Sequence, residues 1–219
     1  IQVLSQSYRI PAKHHTMSQK LIQRVIHRHP KQFSPRDEEG YVQWHRHSEA
    51  VNMDEGNWLL LSRTTRGANQ LEEEVRQRGI LYRYDASRSS DSKVLQAVVL
   101  WEKLRDGKRL HLDEVKRVYE QMILHKQVGY GYKSMTGVDD ESFFSLEDLQ
   151  KDHGLLTSAP WDLALGKISD RDKRYIGSCL RKGEVLTADP RITISTIHRA
   201  KGAQADNVLL LTDTTGRSN

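Results

Sequence analysis

The stretch Trp58-Leu59-Leu60-Leu61-Ser62-Arg63-Thr64-Thr65 decides the fold. A continuous apolar run that gives way to a polar turn reads as a strand covered on both faces, because a half-exposed strand alternates instead. Turn-rich residues from Asn52 to Asn57 precede it. A helix over Asn69 to Arg78 comes next, with Leu71 and Val75 on one face and Gly79 ending it. Ile80-Leu81-Tyr82 then reads as the next strand. Strand, helix and strand joined by short connections are the signature of a parallel α/β sheet.

The same character returns after Pro190. Ile192-Thr193-Ile194-Ser195 and Val208-Leu209-Leu210-Leu211 are short apolar runs that bracket a polar turn and the expected start of a helix. Between the two α/β stretches, Ser89 to Val185 reads as mostly helical. Val94, Leu95, Val98 and Trp101 recur at helical spacing, as do Leu112, Val115, Val118, Tyr119 and Met122, while Gly129 to Ser145 is rich in loop residues. The expected organisation is therefore an α/β domain begun by residues 1–88, interrupted by a helical insertion at 89–185 and completed by 186–219.

At the N-terminus, Ile1-Gln2-Val3-Leu4 reads as a short strand that starts at once, as a chain beginning partway through a larger protein would. Pro11 suits a first helical turn. Met17, Leu21, Ile22, Val25 and Ile26 predict an amphipathic helix ending before Pro30, with Lys13, Lys20, Arg24 and Arg28 on its other face. Tyr41-Val42-Gln43-Trp44 alternates like a strand.

Composition bounds the function classes. The 219 residues are 37% hydrophobic, 29% charged and 7% aromatic, a polar profile that excludes fibrous and membrane-spanning classes. No apolar run approaches the roughly 20 residues that span a bilayer, and the chain is read as cytoplasmic, without a membrane partner. The single cysteine, Cys179, excludes an internal disulfide and a cysteine-built zinc site, and packing is its expected role. His14, His15, His27, His29, His45 and His47 fall in separate segments without a carboxylate or cysteine framework, so no metal site is expected from them. The net charge of +5 is uneven, since no Asp or Glu occurs from Ile1 to Arg36 among seven basic residues. Such a block faces a polyanion or is a solvated helix face, as Asp170 to Arg174 is also read to be.

Chemistry concentrates in Thr196-Ile197-His198-Arg199-Ala200-Lys201-Gly202-Ala203-Gln204-Ala205-Asp206-Asn207-Val208. A strand ends there in hydroxyl, imidazole, guanidinium and ammonium groups and turns at a glycine, an edge suited to phosphate. The segment closely resembles motif V of the UvrD/Rep-type superfamily 1 DNA helicases, which runs Thr-hydrophobic-His-x-x-Lys-Gly, an acidic residue and an apolar strand. The resemblance implies that Thr196 and His198, with Arg199 and Lys201, lie along a single-stranded DNA track, and that Gly202 and Gln204 face the nucleotide sugar. Where the family has Glu, this chain has Gln204, a neutral acceptor.

Two further segments resemble the same family in the same order. Leu4-Ser5-Gln6-Ser7-Tyr8-Arg9 is similar to motif IV, with Ser7 in place of Asn and Ile10 in place of Ser. It implies that Tyr8 stacks on the adenine and that Arg9, the catalytic candidate, reaches the γ-phosphate. Leu59 to Thr65, Leu71-Glu72 and Gly79-Ile80 with Tyr82 resemble the family's strand-Arg-Thr-Asn stretch, its Leu-Glu helix and its Gly-Ile-Pro-Tyr strand, with Leu81 replacing the proline. Arg63, Thr64 and Arg66 then fall at a strand's C-terminal end and become DNA-phosphate candidates, with helix capping by Thr64 or Thr65 as the alternative.

The chain has no Gly-x-x-x-x-Gly-Lys-Ser/Thr loop, since Gly107-Lys108 runs into Arg109 and Gly166-Lys167 into Ile168. No apolar strand ends in an Asp-Glu pair. The resemblance therefore implies the second RecA-like domain, a parallel sheet carrying a small helical insertion, of a motor whose ATP and Mg2+ are held largely by a separate N-terminal ATP-binding domain. The intact enzyme would hydrolyse ATP to move 3′ to 5′ along single-stranded DNA and open a duplex junction, and this chain alone would be inactive. The alternative is a non-catalytic DNA-binding or protein-docking module with a helicase-like fold.

Overall fold

Pro11, with φ of −65°, stands at the N-cap of the first helix, α1 (Ala12–Ile22), one residue earlier than a first-turn proline. The structure is a computed structural model that describes residues 5–27 and 33–212. The chain divides into two compact units, Ile1–Val51 and Asn52–Asn219.

In the first unit, residues 33–39 run beside 5–13. Ser7 N donates to Ser34 O at 2.8 Å, Arg36 N to Ile10 O at 3.0 Å and Ala12 N to Glu38 O at 3.0 Å. Lys13 pairs with Glu39 at 3.0 Å. The expected strand at Ile1–Leu4 lies outside the described residues. Two expectations are corrected. The helix stops at Ile22 rather than continuing towards Pro30, leaving Val25 and Ile26 exposed beyond it. It buries none of its residues, and a short helix with so little packing has little to hold another turn. Tyr41 to Trp44 is not a strand, because alternation becomes a strand only where a neighbour pairs with it, and Tyr41 and Trp44 stand exposed.

The second unit contains β1 (Trp58–Ser62), α2 (Thr65–Gln77), β2 (Tyr82–Tyr84), β3 (Ser87–Arg88), α3 (Lys93–Arg105), β4 (Leu110–His111), α4 (Leu112–Glu120), β5 (Phe143–Phe144), α5 (Leu146–Asp152), α6 (Trp161–Ala164), α7 (Asp170–Arg181), β6 (Ile192–Thr196) and β7 (Asn207–Leu211). It is an α/β fold on a mostly parallel five-stranded sheet of order β3-β2-β6-β1-β7, in which β3 alone runs antiparallel. Leu60 sits level with Ile194 on one side and Leu209 on the other, and all three are buried. Each such side chain removed from water stabilises the fold by about 2 kcal/mol. Helix α2 begins at Thr65, four residues before the expected start at Asn69, so Gly67 and Ala68 join the expected Leu71 and Val75 on its buried face.

Between the sheet-forming stretches, α3 buries Leu95, Ala97, Val98, Leu100, Trp101 and Leu104. Its partner α4 buries Leu112, Val115, Val118 and Tyr119. Polar atoms in this second core are satisfied: Trp101 Nε1 donates to Ala159 O at 3.0 Å and Tyr119 Oη to His153 O at 2.9 Å. The short antiparallel pair β4–β5 was not legible in the sequence. Helix α7 returns to α2, where Arg76 reaches Asp172 at 2.6 Å and lies 4.4 Å above the Tyr175 ring. Asp172 is thus a structural partner within a segment read as a solvated face. Cys179 is buried on α7, and burial pushes its thiol up to about 11, in keeping with packing. No described helix is long and apolar enough to cross a membrane.

Candidate functional site

The direction of the crossovers locates the site. From β1 the chain passes through α2 and across β6 to reach β2, whereas from β6 it passes across β1 to reach β7. The two connections therefore leave in opposite directions from the neighbouring strands β1 and β6. A crevice opens outside the carboxyl ends of strands at such a switch point, where ligands of open α/β sheets bind. Because β1 and β6 are parallel and Ser62 is level with Thr196, both strands end at one edge. Ile197 N donates to Ser62 O at 2.9 Å and closes the pair.

This edge brings together the candidates that lie just past the two strands. Arg63, Thr64 and Arg66 continue from β1, with both arginines exposed. Thr64 is the N-cap of α2, and its Oγ1 accepts from Gly67 N at 3.1 Å. The capping role considered for Thr64 is therefore present in the structure. Gly67 permits close approach of α2 to the strand, since a Cβ there would stand 2.1 Å from Ser62 Oγ. The first turn of α2, the positive end of the helix dipole, consequently opens beside the crevice.

After β6, Thr196 Oγ1 accepts from Arg199 N at 3.4 Å, and His198, Arg199 and Lys201 are exposed. Gly202 takes φ of +87°, a turn conformation that favours glycine, and Gln204 is exposed in the same connection. Residues 197–202 form turns, in place of the helix start expected between these runs. A bend between two strands separated by one neighbour is satisfied by tight turns, such as Ala203 N donating to Ala200 O at 2.9 Å.

One residue of this edge is missing from the sequence reading. Asp85 comes directly after β2 with φ of 51°, and its N–H donates to Ile194 O at 2.9 Å. Its Oδ1 accepts from Ser195 Oγ at 2.7 Å, and its Oδ2 pairs with Arg199 Nη1. The Ser195 hydroxyl and the Arg199 guanidinium hold the Asp85 carboxyl below the usual carboxylate range. Its position just past a parallel strand's carboxyl end was the available signal; the identity of its partners depends on β2 lying beside β6.

Behind the edge, Tyr82 Oη donates to Glu72 Oε1 at 2.6 Å and accepts from Arg76 Nη1 at 3.2 Å. Burial, aided by Glu72, pushes the phenol up to about 12. This network ties α2 to β2 rather than offering a reactive group.

Tyr8 and Arg9 belong to the first unit. Both are exposed, and Tyr8 lines an open hollow with Arg36, Asp37 and Glu38. The exposed ring suits a stacked base, while the acidic lining does not suit a triphosphate, and Arg36 is paired with Glu38. Among the described residues no group of three or more His, Cys, Asp or Glu could hold a metal ion.

No family model, no curated protein and no solved structure matches the chain.

Proposed function

We propose that this chain is the second RecA-like domain of a UvrD-like DNA helicase and that the β1/β6 edge faces single-stranded DNA. The observation that carries the proposal is the shared edge itself, on which two separately recognised segments, Arg63 to Arg66 and Thr196 to Lys201, end beside one switch-point crevice. The cationic side chains would meet phosphates, and the Thr196 hydroxyl and His198 imidazole would position the strand. Exposed Tyr8 would stack on a base and Arg9 would be offered to the terminal phosphate, with the remaining nucleotide contacts supplied by an ATP-binding domain outside this chain. Hydrolysis of ATP, its phosphate charge neutralised by Mg2+, would supply the free energy that alternates grip and release. By resemblance, travel is 3′ to 5′ towards a duplex junction.

The test is binding of a fluorescent oligothymidylate to the chain across a salt series. Affinity is expected to fall with salt, with a slope of about −0.7 per phosphate contact. Combined Thr196→Ala and His198→Ala substitution is expected to weaken binding about tenfold while costing no more than about 1 kcal/mol of stability. A flat salt response, or unchanged affinity in the double variant, overturns the proposed DNA-facing role. The isolated chain is further expected to show no ATP hydrolysis.

A further inference from the structure

Asp85 places a carboxylate among the cations of the β1/β6 edge, and nothing in the family resemblance asks for one. Its backbone is pinned to β6 by the bond from its N–H to Ile194 O at 2.9 Å, so the strand pairing fixes where the side chain begins. One carboxylate oxygen is held by Ser195 Oγ at 2.7 Å. The other faces Arg199 Nη1. The Asp85 side chain is 25% exposed and that of Arg199 is 65% exposed. A pair this open to solvent is weakly held, so a phosphate oxygen can compete with the carboxylate for the guanidinium.

We propose that Asp85 is an electrostatic brake on the edge, presenting Arg199 to a polyanion as half of a neutral pair. The inference rests on the proposed DNA-facing role of this edge and deepens it. While the pair is intact, Arg199 releases no net counterion on binding, and any phosphate that takes the guanidinium must displace a like-charged group. Arg66 and Lys201 then supply the standing attraction, while Arg199 adds grip only when Asp85 lets go. A protein that must hold and release a strand repeatedly gains from such a contact, because the carboxylate is always at hand to reclaim the guanidinium.

Oligothymidylate binding by the whole chain tests the brake. Asp85→Asn removes the charge, keeps an acceptor for Ser195 and tolerates the left-handed backbone at φ of 51°. It is expected to bind about three- to tenfold tighter than the unaltered chain at low salt, with a salt slope steeper by about 0.7. The double variant Asp85→Asn with Arg199→Gln is expected to return within about twofold of the unaltered chain, as removal of a neutral pair requires. Asp85→Gly, which also accepts the positive φ, repeats the measurement should Asn disturb the turn. Equal or weaker binding by the Asp85 variants, or a double variant far weaker than the unaltered chain, overturns the brake and leaves the DNA-facing role intact. Absence of binding by every protein overturns the DNA-facing role and the brake with it. A merely structural Asp85 would change stability and leave the salt slope alone.

Discussion

The segments around Leu60 and around Leu21 both carry clear apolar patterns, one continuous and one at helical spacing, and reach opposite ends. Leu60 is fully buried between Ile194 and Leu209, whereas Leu21 on α1 is 60% exposed. The difference lies in what each pattern finds to pack against. A continuous apolar strand is satisfied only inside a sheet, so Trp58 to Leu61 recruits partners from more than 100 residues away. An amphipathic helix keeps its backbone bonds unaided and leaves its stripe to whatever covers it. Periodicity therefore names an element but does not by itself name a core.

The largest expected effect is the one that separates these two leucines. Leu60→Ala is expected to cost about 3–5 kcal/mol, because the lost methyls leave a cavity that paired strands cannot collapse. Leu21→Ala is expected to stay within about 0.5 kcal/mol. Urea unfolding monitored by circular dichroism reads both. Similar costs at the two positions would break the comparison and show that α1 is buried in solution.

A middle effect tests whether the 89–185 segment is anchored to the sheet by polar chemistry. Arg76 on α2 bonds Tyr82 Oη at 3.2 Å and Asp172 of α7 at 2.6 Å, with the Tyr175 ring 4.4 Å away. Removing it strands partly buried acceptors, so Arg76→Ala is expected to cost about 2–3 kcal/mol. Arg76→Lys is expected to recover only part of this, because an ammonium cannot span both acceptors while lying flat over a ring. Thermal unfolding measures the series, and full recovery by Lys would reduce the anchor to charge alone.

The same contrast explains what could be read in advance. Strands β1 and β7 were legible as short apolar runs and β6 as a β-branched alternation, patterns with few other uses, and α2 was legible from Leu71, Val75 and the stop at Gly79. Thr196 and Arg63 could be placed at strand ends, but that β1 and β6 are neighbours is a fact of topology that local spacing does not contain. The same gap hid the Asp85–Arg199 pair, whose members stand 114 residues apart. It also hid that Tyr41 to Trp44 form no strand, since alternation does not announce whether a partner exists. What sequence conveys poorly here is adjacency, and adjacency makes both the core and the candidate site.

The smallest expected effect lies at Thr64, where folding and binding meet in one hydroxyl. Its oxygen caps α2 by accepting from Gly67 N at 3.1 Å, yet the same group retains a proton it can donate to a phosphate. Thr64→Ala removes both capacities and is expected to cost about 1 kcal/mol of stability. Thr64→Asp separates them. An aspartate caps at least as well and its charge is favourable beside the helix N-terminus, so stability should match or exceed that of the unaltered chain. The added carboxylate at the β1/β6 edge should nevertheless weaken oligothymidylate binding several-fold, through repulsion that salt relieves. If Thr64→Asp keeps full affinity at low salt, Thr64 serves the helix alone and the DNA-facing surface must be drawn around Thr196 and His198 without it.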